Sequence, residues 1–141
     1  MSDTDFNVRF NEASYNLYDA QQEVNALLIE RYKTFDMLDA DGYPSHAALQ
    51  IIELWPCDDK KGWFDLIKSF WWNPEFGWSE GEEDHEWKNS KVYQYHLTTG
   101  GWSGNESIIE AMQNNKNYLW AFTWVQSRRG GHYIFERELN D

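Results

Sequence analysis

Apolar residues in the N-terminal part of the chain recur at steps of three and four. Leu17, Ala20, Val24, Leu27, Leu28, Arg31 and Phe35 form one stripe, which predicts an amphipathic helix over about residues 12–38. Asp41-Gly42-Tyr43-Pro44 stops it. Ser45 is placed to cap a second helix, Ala47 to Trp55, which ends before Pro56 because the residue ahead of a proline disfavours helical backbone. Asp58 or Asp59 then opens a third, Gly62 to Trp72. Between Asn73 and Asn89 the periodicity is lost. Pro74, Gly77, Ser79 and Gly81 lie among Glu75, Glu80, Glu82, Glu83, Asp84 and Glu86, a pattern that predicts an acidic loop with a short edge strand at Phe76 to Trp78.

The last third is more regular. Lys91 to Thr98 alternates and predicts a strand; Ser103-Gly104-Asn105-Glu106 has the spacing of a capping box ahead of Ile108, Ile109 and Met112. Tyr118 to Ser127 is a β-rich run, Arg128-Arg129-Gly130-Gly131 a turn, and His132 to Leu139 a returning strand. A two-residue Gly130-Gly131 loop sets Arg129 opposite His132. That register collects Trp120, Phe122, Trp124, Tyr133, Phe135 and Leu139 on one face and Thr123, Ser127, Arg129, His132, Glu136 and Glu138 on the other. The helices are expected on the aromatic face. The span from Thr98 to Tyr118 has room for a helical crossover, so the strand at 91–98 is expected to run parallel to that at 118–127.

The pattern therefore predicts an α+β fold: N-terminal helices packed on a small mixed sheet, with a C-terminal β-α-β-β unit of parallel crossover plus hairpin. A length of 141 residues suits one domain, divided into a helical acidic part (1–72), an acidic loop (73–90) and the β-α-β-β unit (91–141). Nine Trp, eight Tyr and eight Phe allow a core to be built from few, large side chains. The single cysteine, Cys57, permits no internal disulfide and no thiolate metal site. No segment approaches the ~20 apolar residues of a membrane span, and the N-terminus lacks a secretory pattern, so a cytoplasmic protein is expected.

Charge is unevenly placed. Residues 1–90 carry 19 acids against 7 bases, the whole net charge of −12, while residues 91–141 carry five of each. Such a field repels phosphate backbones, which argues against direct nucleic-acid binding, and attracts a basic surface. The acidic stretch Glu80, Glu82, Glu83 and Asp84, flanked by Trp78 and Trp87, is either a solvated connection or a docking surface, since tryptophan is a common interface anchor.

A second candidate lies where the expected topology brings two loops to one sheet edge. Thr98, Thr99, Gly101, Trp102 and Ser103 would meet Arg128, Arg129 and His132 there, beside a helix N-terminus, as a pocket for a small anion or nucleotide with Trp102 stacking on a base. The same residues also suit a plain helix cap and a solvated hairpin tip, and the lysine and spacing of a P-loop are missing. His46, His85, His96 and His132 show no metal-ligand spacing, and no serine or cysteine sits in a nucleophile-elbow pattern. His96 and His132 on one sheet face are either a proton-transfer pair or, the favoured reading, satisfied or surface histidines; no catalytic residue and no cofactor is assigned.

The segments His96-Leu-Thr-Thr-Gly-Gly-Trp-Ser-Gly-Asn-Glu-Ser-Ile-Ile109 and Trp124-Val-Gln-Ser-Arg-Arg-Gly-Gly-His-Tyr-Ile-Phe135 resemble those of small uncharacterised bacteriophage and prophage proteins. Those proteins carry a similar T-G-G-W-S-G-N-E motif and a similar R-G-G-H-Y-x-F end. The likeness covers about residues 91–137. It implies a phage or prophage origin, hence the cytoplasm of a host bacterium, and no particular activity. Three functions follow as expectations: an acidic accessory protein that binds a host or phage protein with a basic surface, as an inhibitor of a nucleic-acid-handling defence system; a small-ligand module binding or hydrolysing a nucleotide-like anion; and a virion structural or assembly subunit. The oligomeric state is left open.

Overall fold

A computed structural model of the protein describes residues 19, 20, 22–31 and 36–141. The elements in chain order are α1 (helical at 19, 20 and 22–31), α2 (His46–Leu54), α3 (Lys60–Phe70), α4 (Pro74–Gly77), β1 (Trp78–Asp84), β2 (Lys91–Thr98), α5 (Ser103–Gln113), α6 (Leu119–Thr123), β3 (Trp124–Arg128) and β4 (His132–Glu138). This is an α+β fold. No helix among the described residues is long and apolar enough to cross a membrane.

Helix starts follow local chemistry. Ser45 Oγ accepts from the Ala48 N–H at 3.1 Å to cap α2, and Asp59 Oδ1 accepts from the Gly62 N–H at 3.0 Å to cap α3. Of the long helix expected over 12–38, residues 12–18, 21 and 32–35 lie outside the described residues, and its end is not helical. There Leu38 bridges to Pro44, and Asp39 Oδ1 accepts from the N–H groups of Asp41 and Tyr43, both at 2.9 Å, which turns the chain sharply. The expected capping box is also absent. Trp102 occupies the cap position of α5 without a side-chain hydrogen bond, and Asn105 in its first turn is buried.

The four strands lie in the order β1-β2-β4-β3, and every neighbouring pair is antiparallel. The mixed sheet with a paired parallel crossover is thus corrected. Strands β2 and β3 run in the same direction, because both oppose β4, but β4 lies between them. Residues 73–90 are not a loop throughout: α4 is followed by a seven-residue edge strand whose Trp78 faces Leu97 and whose Asp84 faces Lys91. Residues 119–123, expected as strand, form α6. In the hairpin, Arg128 rather than Arg129 faces His132, so Arg129-Gly130-Gly131 is a three-residue loop with both glycines at positive φ. A bulge between Trp124 and Gln126 then returns Trp124 to the position opposite Phe135.

The core lies on the sheet face that carries Tyr95, Leu97 and Phe135, against Ile51 and Ile52 of α2, Trp63, Phe64 and Ile67 of α3, and Ile108 and Met112 of α5. Phe64 stacks on Tyr95 with ring centres 4.0 Å apart, and Trp120 meets Phe135 edge-on at 5.1 Å. The helices cover only part of the expected aromatic face: Phe135 is in the core and Trp120 and Tyr133 pack against it, while Phe122, Trp124 and Leu139 are exposed. Asn115 ties the end of α2 to the start of α6: its amide donates to the Ile52 and Trp55 carbonyls, and its Oδ1 accepts from the N–H groups of Asn117 and Leu119. The opposite sheet face presents Gln94, His96, Thr98, His132 and Glu136, all partly or fully exposed.

Candidate functional site

The acids of 80–84 are sorted by the strand that carries them. Alternation along β1 points Trp78, Glu80, Glu82 and Asp84 to the core side and Ser79, Gly81 and Glu83 to the other. Trp78 is 8% exposed and packs edge-on against Trp71 and Tyr95, so it is a core residue and not a surface anchor. Glu80 is exposed, but its carboxylate turns toward Trp78 and Tyr93. Its carboxylate accepts from Trp78 Nε1 at 2.6 Å and from the Tyr93 hydroxyl at 2.9 Å, with Lys68 Nζ at 3.8 Å. Burial first, and then the bond to Glu80, push the Tyr93 phenol up to about 12. The Arg137 guanidinium lies 4.5 Å from the centre of the Tyr93 ring and donates to the Tyr95 hydroxyl at 2.9 Å. Burial raises the Tyr95 phenol as well, and Arg137 partly opposes the rise.

Glu82, Glu83 and Asp84 are exposed at the end of β1, the outermost strand of the sheet among the described residues. Just beyond them Trp87 is 85% exposed. Its placement is fixed by its neighbour: His85 Nδ1 accepts from the N–H groups of Trp87 at 3.0 Å and Lys88 at 3.1 Å, and the His85 N–H donates to the Ser90 carbonyl at 2.8 Å. His85 Nε2 lies 3.7 Å from Glu136. This turn borders a cavity of about 670 Å³ whose wall includes Lys60, Lys88, Lys91, Phe122, Glu138 and Asp141. Lys60 and Lys91 are paired with Asp141 and Asp84 at 3.1 and 3.2 Å.

At the other candidate, the two loops do meet, although the parallel pairing that predicted it is absent. Thr98, His132 and Arg128 form one row across β2, β4 and β3. Thr98 Oγ1 and His132 Nδ1 share a hydrogen bond at 2.8 Å, and the Thr99 N–H donates to the Gly131 carbonyl at 3.0 Å. Arg129 is exposed at the tip, and Arg128 Nε donates to Gln126 at 3.4 Å. The Gly101 N–H donates to Thr99 Oγ1 at 3.4 Å. Trp102, expected to stack on a ligand, lies against Tyr43 and Trp72, at 4.6 and 5.2 Å between ring centres. Its six-membered ring also covers Gly104 beside Ser103, where a Cβ would stand 2.2 Å from it. The indole thus closes over the first turn of α5.

Sequence reasoning passed over a third feature. Trp72, Phe76, Gly77, Gly100 and Asn105 line a cleft of about 230 Å³ beside the Gly-rich loop. The signal was present in Asn73-Pro74, a helix start, which turns Phe76 outward from a short helix and not along a strand. Among the described residues, no group of three His, Cys, Asp or Glu side chains gathers as a metal site would. Comparison with family models, with curated proteins and with solved structures gave no match, so the functional reading rests on this chain's own residues.

Proposed function

We propose that the protein is a binding module, not a catalyst, that docks its acidic sheet edge onto the basic surface of a host or phage protein. The observation that carries this reading is the outer edge of β1. Glu82, Glu83 and Asp84 stand exposed on a strand whose outer side pairs with no other strand among the described residues, and Trp87 projects just past it from a turn held by His85. Carboxylates of one sign speed encounter with a basic partner, and an exposed tryptophan supplies the apolar anchor that charge alone does not. A partner groove that otherwise holds nucleic acid has the matching polarity, and occupying it would block a nucleic-acid-handling defence system. The anion-pocket reading has less support, since Trp102 already packs on two rings and covers the helix start.

Tagged wild-type protein and the variants E82Q/E83Q/D84N and W87A are incubated with lysate of a bacterial host, and the retained partner is tested for competition with duplex DNA. The expected result is a basic partner held by the wild type, lost from both variants and displaced by DNA. Equal retention by wild type and variants overturns the reading.

A further inference from the structure

We propose that the cleft between Trp72 and Phe76 holds the cationic side chain of an arginine or lysine from another protein. Both rings are open to solvent, at 47% and 73% exposure, where a chain of ordinary economy would cover them. Gly77 and Gly100 line the space between them, and a Cβ on Gly100 would reach the Phe76 ring at 3.9 Å.

The walls are fixed before anything binds. Asn105 Oδ1 accepts from the Trp72 N–H at 2.9 Å and its amide donates to the Trp72 carbonyl at 3.2 Å, so the backbone under the indole is held from both sides. Trp102 stacks against Trp72, and Tyr43 against Trp102. Asn73, at a φ of 54°, turns the chain so that Phe76 stands opposite. A preformed aromatic cleft loses little conformational entropy on binding.

Charge selects the occupant. The segments that line the cleft, residues 72–77 and 98–106, contain Glu75 and Glu106 and no lysine or arginine, and the turn at 39–43 adds Asp39 and Asp41, so acids outnumber the two bases, Arg128 and Arg129, of the hairpin tip that meets Thr99. The 39–43 turn reaches the cleft, since a Cβ on Gly42 would touch the Trp72 ring at 3.8 Å. Ring faces attract cations, and acids around them reinforce that attraction while giving nothing to an apolar or anionic side chain. This surface lies at the start of β1, whereas Glu82 to Asp84 lie at its end, so it stands independently of the docking edge above.

The test is a nuclear magnetic resonance titration of the whole protein with acetyl-arginine methylamide and with its neutral isostere acetyl-citrulline methylamide. The arginine probe is expected to shift the amides of Gly77, Thr99 and Gly100 and the indole N–H of Trp72, with the citrulline probe binding at least about fivefold more weakly. Phe76→Ala, an exposed position that leaves the fold intact, is expected to abolish the shifts, and Glu75→Gln to weaken them. Equal binding of the neutral probe, unchanged binding to Phe76→Ala, no shift up to the probe's solubility limit, or shifts confined to residues 82–87 would each overturn the cleft. The last of these leaves the acidic edge standing, and shifts confined to the cleft do the reverse.

Discussion

Glu80 and Glu83 sit three residues apart on one strand and look alike in the sequence, yet their oxygens meet different surroundings. Glu80 satisfies Trp78 Nε1 and the Tyr93 hydroxyl at the margin of the core, while Glu83 faces solvent. Glu80→Ala removes the acceptor of the part-buried Trp78 Nε1 and of the Tyr93 hydroxyl, which water can replace, and the expected cost is about 1 kcal/mol; Glu83→Ala is expected to stay within about 0.5 kcal/mol. Urea denaturation of the two variants measures the contrast, and equal costs would contradict the assignment of Glu80 inward. The same contact governs alkaline behaviour. With the Tyr93 phenol raised to about 12 in the folded protein, the unfolded chain loses its proton first, near its ordinary value of about 10. Between those values the folded state binds more protons, so stability is fully present below pH ~10 and falls as pH rises toward ~12. Tyr93→Phe is expected to flatten that fall, read as the change in urea midpoint with pH.

At the scale of elements, the strand at 91–98 and the caps of α2 and α3 were legible because each is set by its own residues: strict alternation, Ser45 and Asp59. The elements that were not legible are set from outside. β1 carries Gly81 and four acidic residues in its short span, and no local preference favours a strand there; β2 supplies the pairing, and charges on an edge strand discourage unwanted partners. Residues 119–123 are β-rich by composition, but Asn115 accepts from the Leu119 N–H and Tyr118 takes a φ of 66°, so a helix starts instead. Of the candidate site, the meeting of the Gly-rich loop with the hairpin tip was legible from chain direction alone. The inward turn of Trp78 and Glu80 was not, since it depends on the strand's phase. Gly77 is the element-scale test. A Cβ there collides with the Thr98 carbonyl oxygen, a backbone atom with little freedom to move, so Gly77→Ala is expected to cost about 2 kcal/mol or more by forcing α4 away from β2. Thermal denaturation checks this, and a melting temperature equal to wild type would contradict the packing of α4 on β2.

For the molecule as a whole, acids at a sheet edge admit two purposes, and one variant separates them. Like charges on one short strand repel, so neutralising them in E82Q/E83Q/D84N relieves strain in a chain of net charge −12, while the exposed Lys91–Asp84 pair at 3.2 Å that is lost is worth little. Folding stability is therefore expected to change by no more than about 0.5 kcal/mol. If the acids only guard an open edge, the neutral variant self-associates in sedimentation while the wild type shows no affinity for a basic polypeptide. If they dock a partner, the wild type binds an oligolysine probe with an affinity that falls steeply with added salt, and the variant loses both the affinity and most of the slope. Stability held constant makes the second outcome a statement about recognition, since the fold that presents the edge is the same in both proteins.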